Sequence, residues 1–218
     1  MREEKGCVGS ICCRYIRSEE SIEKNYLVLL HGYTFNSLVW KEIGLLQKLE
    51  EERIPFFALD MPYATRSECT RRTTDALMNL TFLEDSIEKH LGGVDAPILL
   101  GASMGGYFAI LYAEERPTRG LILVGPVGTE EEKVRMKIGK IDSPVYIILG
   151  DKDTIIDFES IKSFASLAKR SKIVIYESSG HPAYLYQKDR FIKDVISFYR
   201  KNSYRESSAA ERSEDFFP

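Results

Sequence analysis

The chain has 218 residues, a length that suits one ordinary domain with a well-buried core. Hydrophobic residues make up 44% of it and charged residues 29%, a composition typical of water-soluble globular proteins. The formal net charge of -3 and the lack of a dense Lys/Arg cluster argue against nucleic acid as a partner.

The opening residues, MREEKGCVGS, lack the uninterrupted apolar segment of a signal peptide, so we expect a cytoplasmic protein. The apolar runs are far too short to span a membrane, so no membrane association is expected. The four cysteines form neither a CxxC pair nor a Cys/His cluster, which argues against a zinc or redox site. We therefore expect reduced cysteines that pack as small apolar residues. They are Cys7, Cys12, Cys13 and Cys69.

Short apolar runs recur along the chain and are continuous rather than alternating, which predicts strands covered on both faces of a sheet. A further strand is predicted at Gly9–Arg17, antiparallel and at the N-terminal end of the order. The continuous runs are Leu27–Leu30, Pro55–Leu59, Ile98–Leu100, Leu121–Val124, Val145–Leu149 and Ile173–Tyr176.

Between most of these runs lie segments with helical periodicity, so the alternation predicts a parallel sheet with helices on both faces. The expected fold class is a three-layer α/β fold in one domain, residues 1–201. The polar, serine-rich residues 202–218 indicate a flexible tail. Phe216–Phe217 at its end could dock on another surface, but a tail without a function is the favoured interpretation. The apolar helical faces are Val39, Ile43, Leu46 and Leu49; Leu80, Leu83, Ile87 and Leu91; Ile161, Phe164, Ala165 and Ala168; and Phe191, Val195 and Phe198.

The stretch GASMG, Gly101–Gly105, places Ser103 between a predicted strand and a predicted helix. Ser103 is either a small residue in a tight turn or a catalytic nucleophile. The context favours the nucleophile, because functional residues gather at the carboxyl ends of parallel strands. Glycines two residues before and two after the serine allow the sharp reversal that lifts its hydroxyl out of the sheet edge.

A serine hydroxyl needs a base, and histidine is the usual one. The chain has three histidines. His90 lies along a predicted helix with no catalytic context, whereas His31 and His181 follow strands on the carboxyl side of the sheet. His181 is the better candidate, because a carboxylate is available to orient it.

The acid comes from the stretch ILGDKDTIID, which carries Asp151, Asp153 and Asp157 after a predicted strand. Three aspartates could instead bind calcium, but Ile155–Ile156 stand where a calcium loop needs ligands and glycine, so no metal is expected. The order Ser103, then an aspartate, then His181 is the order found in α/β-hydrolases.

Four blocks carry a resemblance to a known family: HGY, GASMG, GDKDTI and GH, at residues 31–33, 101–105, 150–155 and 180–181. The chain resembles the α/β-hydrolase superfamily, and specifically its compact, cap-less carboxylesterase-like members. In that family the acid is typically three residues after the glycine of the third block. The resemblance therefore implies Asp153 as the acid, with Asp151 as a turn residue and Asp157 as a helix cap.

The resemblance also implies an oxyanion hole formed by the backbone N–H groups of Met104 and Tyr33. His31 is then a residue that organises its loop. One block departs from the family: DMPYATRS, Asp60–Ser67, lacks the two glycines that many members have there, which puts the pocket wall in doubt. Asp60 is expected to be structural.

These observations predict a serine hydrolase that cleaves carboxylic esters or thioesters of small soluble substrates without a cofactor. The alternatives are a non-catalytic binding or regulatory protein of the same fold, and an acyltransferase or N-deacylase that uses the same triad. The oligomeric state is left open. The candidate pocket residues are Phe35, Tyr63, Val127, Ile155 and Tyr184.

No cap domain is expected, because only residues 126–143 separate two predicted strands where many α/β-hydrolases insert a cap. This segment predicts one short helix, with Thr129 and Glu132 as a capping box and Val134 and Ile138 facing inward. An uncapped site offers little apolar wall and favours short or medium acyl groups.

Overall fold

The structure, a computed structural model, describes residues 1–19, 25–92, 96–203 and 217–218. Eight strands form one sheet in the order β1-β2-β4-β3-β5-β6-β7-β8. Each of the six predicted apolar runs is a strand, and the bounds agree to within two residues. The strands are β1 (Arg2–Val8), β2 (Ile11–Arg17), β3 (Leu27–Leu30), β4 (Phe56–Leu59), β5 (Ile98–Ala102), β6 (Gly120–Val124), β7 (Val145–Gly150) and β8 (Ser171–Tyr176).

Helices cover both faces of the sheet and bury two apolar clusters, so the predicted three-layer α/β fold is confirmed. Successive strand residues point to opposite faces: Val28 and Leu30 enter one cluster, whereas Leu27 and Leu29 enter the other. This is why the strands are apolar throughout. The helices are α1 (Leu38–Glu42), α2 (Leu45–Glu51), α3 (Ala76–Leu91), α4 (Met104–Glu115), α5 (Glu132–Ile138), α6 (Phe158–Ala165), α7 (Ala183–Tyr186) and α8 (Lys188–Asn202).

At β3 the order of the strands across the sheet changes direction relative to the chain. β4 lies on one side of β3 and β5 on the other, and all three strands run parallel. Such a switch point opens a crevice at the carboxyl ends of the strands. The register pairs Leu30 with Gly101, so the turns that follow β3 and β5 meet at this crevice.

The strand predicted near the N-terminus is confirmed as β2, which pairs antiparallel with both β1 and β4. The edge strand β1 was not predicted from the sequence. Its residues are mostly charged and none is buried, so it lacks the apolar pattern that identifies the other strands.

The expectation of reduced cysteines is wrong, because the structure contains two disulfides. The antiparallel register of β1 and β2 sets Cys7 opposite Cys12, and these two residues are bonded. Cys13, on the other face of β2, is bonded to Cys69, which reaches it from the loop after β4. Both pairings depend on strand contacts that cysteine spacing does not reveal.

Two helical expectations need correction. The face predicted from Val39 to Leu49 is buried, but it belongs to two helices, because Gly44 adopts φ 83° and separates α1 from α2. The capping box of Thr129 and Glu132 does not form. A turn in which Glu131 N donates to Gly128 O delays the helix, so α5 begins after Glu131.

The segment between β6 and β7 is short, as expected. Val134 and Ile138 of α5 point inward and are fully buried. No cap domain covers the sheet edge in the described part of the chain, which agrees with the sequence analysis.

Most of the predicted tail, residues 204–216, lies outside the described residues. The last two residues, Phe217 and Pro218, contact the domain. Phe217 is 5% exposed and packs beside the rings of Tyr146 and Phe198. Lys172 Nζ donates to Pro218 O at 2.7 Å, and Lys201 donates to the carbonyl of Phe217.

Among the helices of the described residues, none combines the length and the apolar character that crossing a bilayer requires.

The two disulfides predict different losses of stability on removal. Cys13–Cys69 closes 56 residues and Cys7–Cys12 closes 5. The chain-entropy relation assigns about 4 kcal/mol to the long loop and about 2 kcal/mol to the short one. We expect the free energy of unfolding, measured in guanidinium chloride, to fall further for Cys69→Ser than for Cys7→Ser. Equal losses would contradict the loop-entropy origin.

Candidate active site

Ser103 lies in a strained turn between β5 and α4. It adopts φ 51° and ψ -113°, a conformation that non-glycine residues rarely take, and its side chain is half-buried. The two flanking glycines make the turn possible. A Cβ on Gly101 would lie 2.4 Å from Gly105 O, and one on Gly105 would lie 2.2 Å from Leu30 O. The sequence GASMG therefore forms the strained strand-to-helix turn that presents a serine hydroxyl.

His181 and Asp153 form a hydrogen-bonded pair. His181 Nδ1 lies 2.8 Å from Asp153 Oδ2, with the carboxylate side chain 1% exposed and the imidazole 15% exposed. The other carboxylate oxygen, Oδ1, accepts hydrogen bonds from Ile155 N at 2.8 Å and Ile156 N at 3.0 Å. These two hydrogen bonds fix the carboxylate, and the carboxylate orients the imidazole ring through Nδ1. The other ring nitrogen, Nε2, makes no contact with Asp153.

The loop after β6 brings Ser103 and this pair to the same place. Ser103 N donates to Val124 O at 2.8 Å, and Val127 N donates to Ser103 O at 3.3 Å. Gly125, between them, lies against the pair on its other side, because a Cβ there would be 3.0 Å from the His181 ring and 3.2 Å from Asp153 Oδ2. The turn carrying Ser103 and the histidine–aspartate pair thus share one wall.

His181 Nε2 is buried and has no hydrogen-bond partner among the described residues. It is the ring atom that a serine base must use, since Nδ1 is engaged by Asp153. Hydrogen bonds between a nucleophile and its base are often long in the free enzyme and tighten with substrate.

The structure separates the roles of the other two aspartates. Asp151 Oδ1 accepts a hydrogen bond from Ser179 N at 3.1 Å, and the backbone N–H groups of Ser178 and Ser179 lower the pKa of Asp151. It therefore ties the turn after β7 to the loop that carries His181. Asp157 caps α6 by accepting from Ser160 N at 2.9 Å. Both findings agree with the structural roles expected for these residues.

The two candidate donors of the oxyanion hole are the backbone N–H groups of Met104 and Tyr33. Met104 N begins α4, where the helix dipole adds positive potential. Tyr33 follows Gly32, and a Cβ on Gly32 would lie 3.5 Å from Ser103 Cβ. Neither N–H donates a hydrogen bond within the part of the chain that the structure describes. The assignment of both donors stays a prediction.

His31 holds the peptide that carries the Tyr33 N–H. His31 is fully buried, its Nε2 accepts from Met61 N at 3.1 Å, and its Nδ1 lies 2.9 Å from Gly32 O. Nδ1 therefore carries the proton and donates it to Gly32 O. Since the C=O and N–H of a trans peptide point in opposite directions, this bond fixes the direction of the Tyr33 N–H. His31 organises the loop, as expected.

Asp60 is structural, as the sequence suggested. It is fully buried and accepts hydrogen bonds from Ser37 N and Glu68 N, each at 2.7 Å. Its Oδ2 also lies 3.1 Å from a guanidinium nitrogen of Arg14. Arg14, on β2, was not recognised from the sequence, because a single arginine in an apolar strand shows no pattern that predicts a buried ion pair.

The predicted pocket residues fall into two groups. Phe35 and Val127 are half-buried and Ile155 is 63% exposed, so these side chains retain surface near the site. Tyr63 is buried and donates a hydrogen bond from its hydroxyl to His31 O at 2.5 Å. Tyr184 is 1% exposed and packs against Trp40, which places it in the core.

The state of His31 predicts a pH dependence of stability. Burial lowers the pKa of His31 below its usual value, so the unfolded chain binds the proton more readily than the folded one. The free energy of unfolding should therefore fall as the pH drops below about 6.5, with a limiting slope of about 1.4 kcal/mol per pH unit. Unfolding in urea should be measured between pH 5 and 8. For His31→Gln, the free energy of unfolding should change less steeply with pH than for the native protein, by an amount that corresponds to about one proton fewer taken up on unfolding.

His90→Gln is the control for that measurement. Burial also lowers the pKa of His90, but this side chain is only half-buried, beside Tyr15 and Phe57. We expect its substitution to change the slope less than His31→Gln does. Identical slopes for the wild type and His31→Gln would contradict a neutral, buried His31.

Comparisons with known proteins agree with this architecture. Two relatives resemble the chain along most of its length. Protein ABHD14A from Danio rerio is 28% identical over 177 residues, which cover 80% of this chain and 64% of that protein. The relative named "Putative protein-lysine deacylase ABHD14B" from Rattus norvegicus is 26% identical over 182 residues, covering 80% of this chain and 83% of the relative. The chain thus spans less than two thirds of the ABHD14A relative.

A solved structure described as a CIB-like hydrolase from Thermoplasma acidophilum superposes with a TM-score of 0.81 at 25% identity, covering 91% of this chain and 97% of that one. A family model described as an alpha/beta hydrolase domain matches residues 23–194, which include every strand from β3 to β8. The chain is therefore a member of the alpha/beta hydrolase family.

Proposed function

We propose that this protein is a serine hydrolase that cleaves carboxylic esters or thioesters of small soluble substrates through an acyl-enzyme intermediate. One observation supports this above all: the strained turn of Ser103 shares the wall at Gly125 with the His181–Asp153 pair. This proximity supports the proposal, because acyl transfer requires a nucleophile, a base and an orienting acid close together.

In the first half of the reaction, Ser103 Oγ attacks the carbonyl carbon of the substrate and His181 Nε2 takes the hydroxyl proton. The carbonyl oxygen becomes an oxyanion, which accepts hydrogen bonds from Tyr33 N and Met104 N. Donors fixed before the reaction contribute about 2.7–4 kcal/mol each to the stability of such a transition state. The bond to the leaving alcohol or thiol then breaks, and His181 returns the proton to it.

In the second half, water attacks the acyl group on Ser103 and gives a proton to His181 Nε2. The tetrahedral intermediate expels Ser103 Oγ, which recovers that proton, and the carboxylic acid is released. Asp153 orients the ring and stabilises the imidazolium that forms in each half of the reaction. These steps require no cofactor.

The surroundings of the site favour short or medium acyl groups. The segment between β6 and β7 contributes only the short helix α5, so no cap encloses the acyl chain. Phe35, Val127 and Ile155 supply a limited apolar wall. Each CH₂ left in water forgoes about 0.8 kcal/mol of binding.

A second candidate is removal of an acyl group from an amine, because a relative carries the name "Putative protein-lysine deacylase ABHD14B". The same three residues support amide cleavage, with the amine taking the proton from His181. Hydrolysis of an acyl-lysine peptide faster than of the matching ester would favour this candidate. A non-catalytic member of the family would hydrolyse neither.

The location of the protein stays a prediction. Disulfides persist mainly in oxidising compartments, so the two disulfides do not support the cytoplasmic location that the sequence suggested.

Labelling by a fluorophosphonate probe tests the nucleophile. We expect Ser103 Oγ to attack phosphorus and displace fluoride in the native protein, and no labelling in Ser103→Ala. That variant should fold normally and lose ester hydrolysis by about a millionfold, the loss seen in a comparable triad. Equal labelling of Ser67→Ala and the native protein provides the control. Labelling of Ser103→Ala would exclude Ser103 as the nucleophile.

A pair of aspartate variants tests the acid. Asp153→Asn should lower kcat by about 10⁴-fold, because the amide favours the wrong histidine tautomer. Asp151 lies two residues away, and its side chain contacts the backbone N–H of Ser179 rather than His181. The kcat of Asp151→Asn should therefore fall far less. The reverse ranking would move the acid to Asp151.

A further inference from the structure

Three arginines lie in the loop that follows β4, which is hydrogen-bonded to the loop of the candidate oxyanion donor Tyr33. Arg66, Arg71 and Arg72 lie within seven residues of one another and are all exposed. This loop is where the chain departs from the glycine-containing block of its family. We propose that these arginines bind an anionic group, a carboxylate or a phosphate, on the substrate of the proposed hydrolase.

The loop is held beside Tyr33, the residue after the candidate oxyanion peptide bond, by direct contacts. Thr65 N donates to Tyr33 O at 2.9 Å, and Asn36 Nδ2 donates to Arg66 O at 3.2 Å. Arg72 Nη1 donates to Thr65 O at 3.0 Å. Thr65 therefore links the Arg72 guanidinium to the carbonyl of Tyr33, the residue whose N–H is the candidate oxyanion donor.

The loop after β4 is also bonded to β2 and to Asp60, so the arginines belong to a segment that is held in place. Cys69 is bonded to Cys13 of β2, and Glu68 N donates to the buried carboxylate of Asp60. Thr70 N donates to Cys12 O at 2.8 Å. A rigid support lowers the entropic cost of ordering side chains around a ligand.

The carboxylates closest to these arginines in the sequence already have other partners. Asp60 and Glu68 both accept from Arg14, and Asp75 accepts from Met78 N at the start of α3. Within the described residues, no carboxylate forms an ion pair with the three loop arginines. Their charge is therefore available to a ligand.

Residues 151–157, on the other side of the site, carry three aspartates and one lysine, Lys152, so this loop is net negative. Asp151 and Asp157 follow β7, which lies two strands from β5 in one direction, whereas the arginines follow β4, two strands away in the other. Two strand spacings amount to about 10 Å, close to the Debye length at 0.1 M salt. A substrate at Ser103 is thus oriented with its anionic end toward β4. Arginine binds carboxylate and phosphate through paired N–H donors.

Because this inference rests on the proposed hydrolase activity, the test compares two esters of equal length. The probes are para-nitrophenyl glutarate, which has a free carboxylate, and its uncharged methyl ester. We expect a higher kcat/KM for the charged ester in the native protein. Each of Arg66→Gln, Arg71→Gln and Arg72→Gln should lower the charged-to-neutral ratio by about two- to fivefold, the range for exposed ion pairs.

The triple variant should lower that ratio by about tenfold or more, and added salt should lower it in the native protein. Arg2→Gln is the matched control, because Arg2 is exposed and the strand register places it, through Arg17, near the amino end of β4 rather than near its carboxyl end. Its ratio should equal that of the native protein. Competition by inorganic phosphate and by monomethyl glutarate, at constant ionic strength, distinguishes a phosphate site from a carboxylate site.

The outcomes separate the two proposals. Hydrolysis of both esters with equal kcat/KM, or a ratio that survives the triple substitution, would overturn the arginine site and leave the hydrolase intact. Failure to hydrolyse either ester, together with no fluorophosphonate labelling, would overturn the hydrolase and this inference with it.

Discussion

The close contact between the start of α4 and the end of β3 is the constraint on which the rest of the site depends. Gly105 approaches the carbonyl of Leu30 so closely that a Cβ would lie 2.2 Å from its oxygen. This contact holds Ser103 in its strained turn and sets it beside Gly32. The nucleophile and the candidate oxyanion donor on Tyr33 are thus positioned by packing of the backbone, which is more rigid than side-chain contacts.

Around that contact, three loops are held in place by the side chains of His31, Asp60 and Asp151, none of which belongs to the candidate triad. His31 fixes the Gly32 carbonyl, Asp60 fixes the loop after β4, and Asp151 fixes the loop that carries His181. His31 and Asp60 are buried, and hydrogen bonds to backbone groups, together with Arg14 beside Asp60, offset the cost of burying them, whereas Asp151 is exposed. The site is therefore rigid on three sides, and the strain at Ser103 is balanced by bonds elsewhere.

Much of this could be predicted from the sequence, because the signals are local. Continuous apolar runs identify strands buried on both faces, and the glycines around Ser103 identify a turn that other residues cannot form. The G-x-x-D block identifies Asp153, whose side chain accepts N–H bonds from Ile155 and Ile156 just after it. The strand β1 and the capping of α5 could not be predicted, since one lacks an apolar face and the other depends on a turn at Gly128.

By itself, the sequence determined the layered α/β fold and the strand-to-helix turn at Ser103, because both follow from residue types at short spacing, whereas Asp153 as the candidate acid follows from the resemblance to α/β-hydrolases. Only the tertiary structure decided which cysteines pair, where Phe217 packs, and that Tyr63 and Tyr184 lie in the core. It also decided that Arg14 pairs with Asp60 and Glu68, while the loop arginines form no ion pair among the described residues. These facts depend on contacts between residues far apart in the chain, which short-range patterns do not encode.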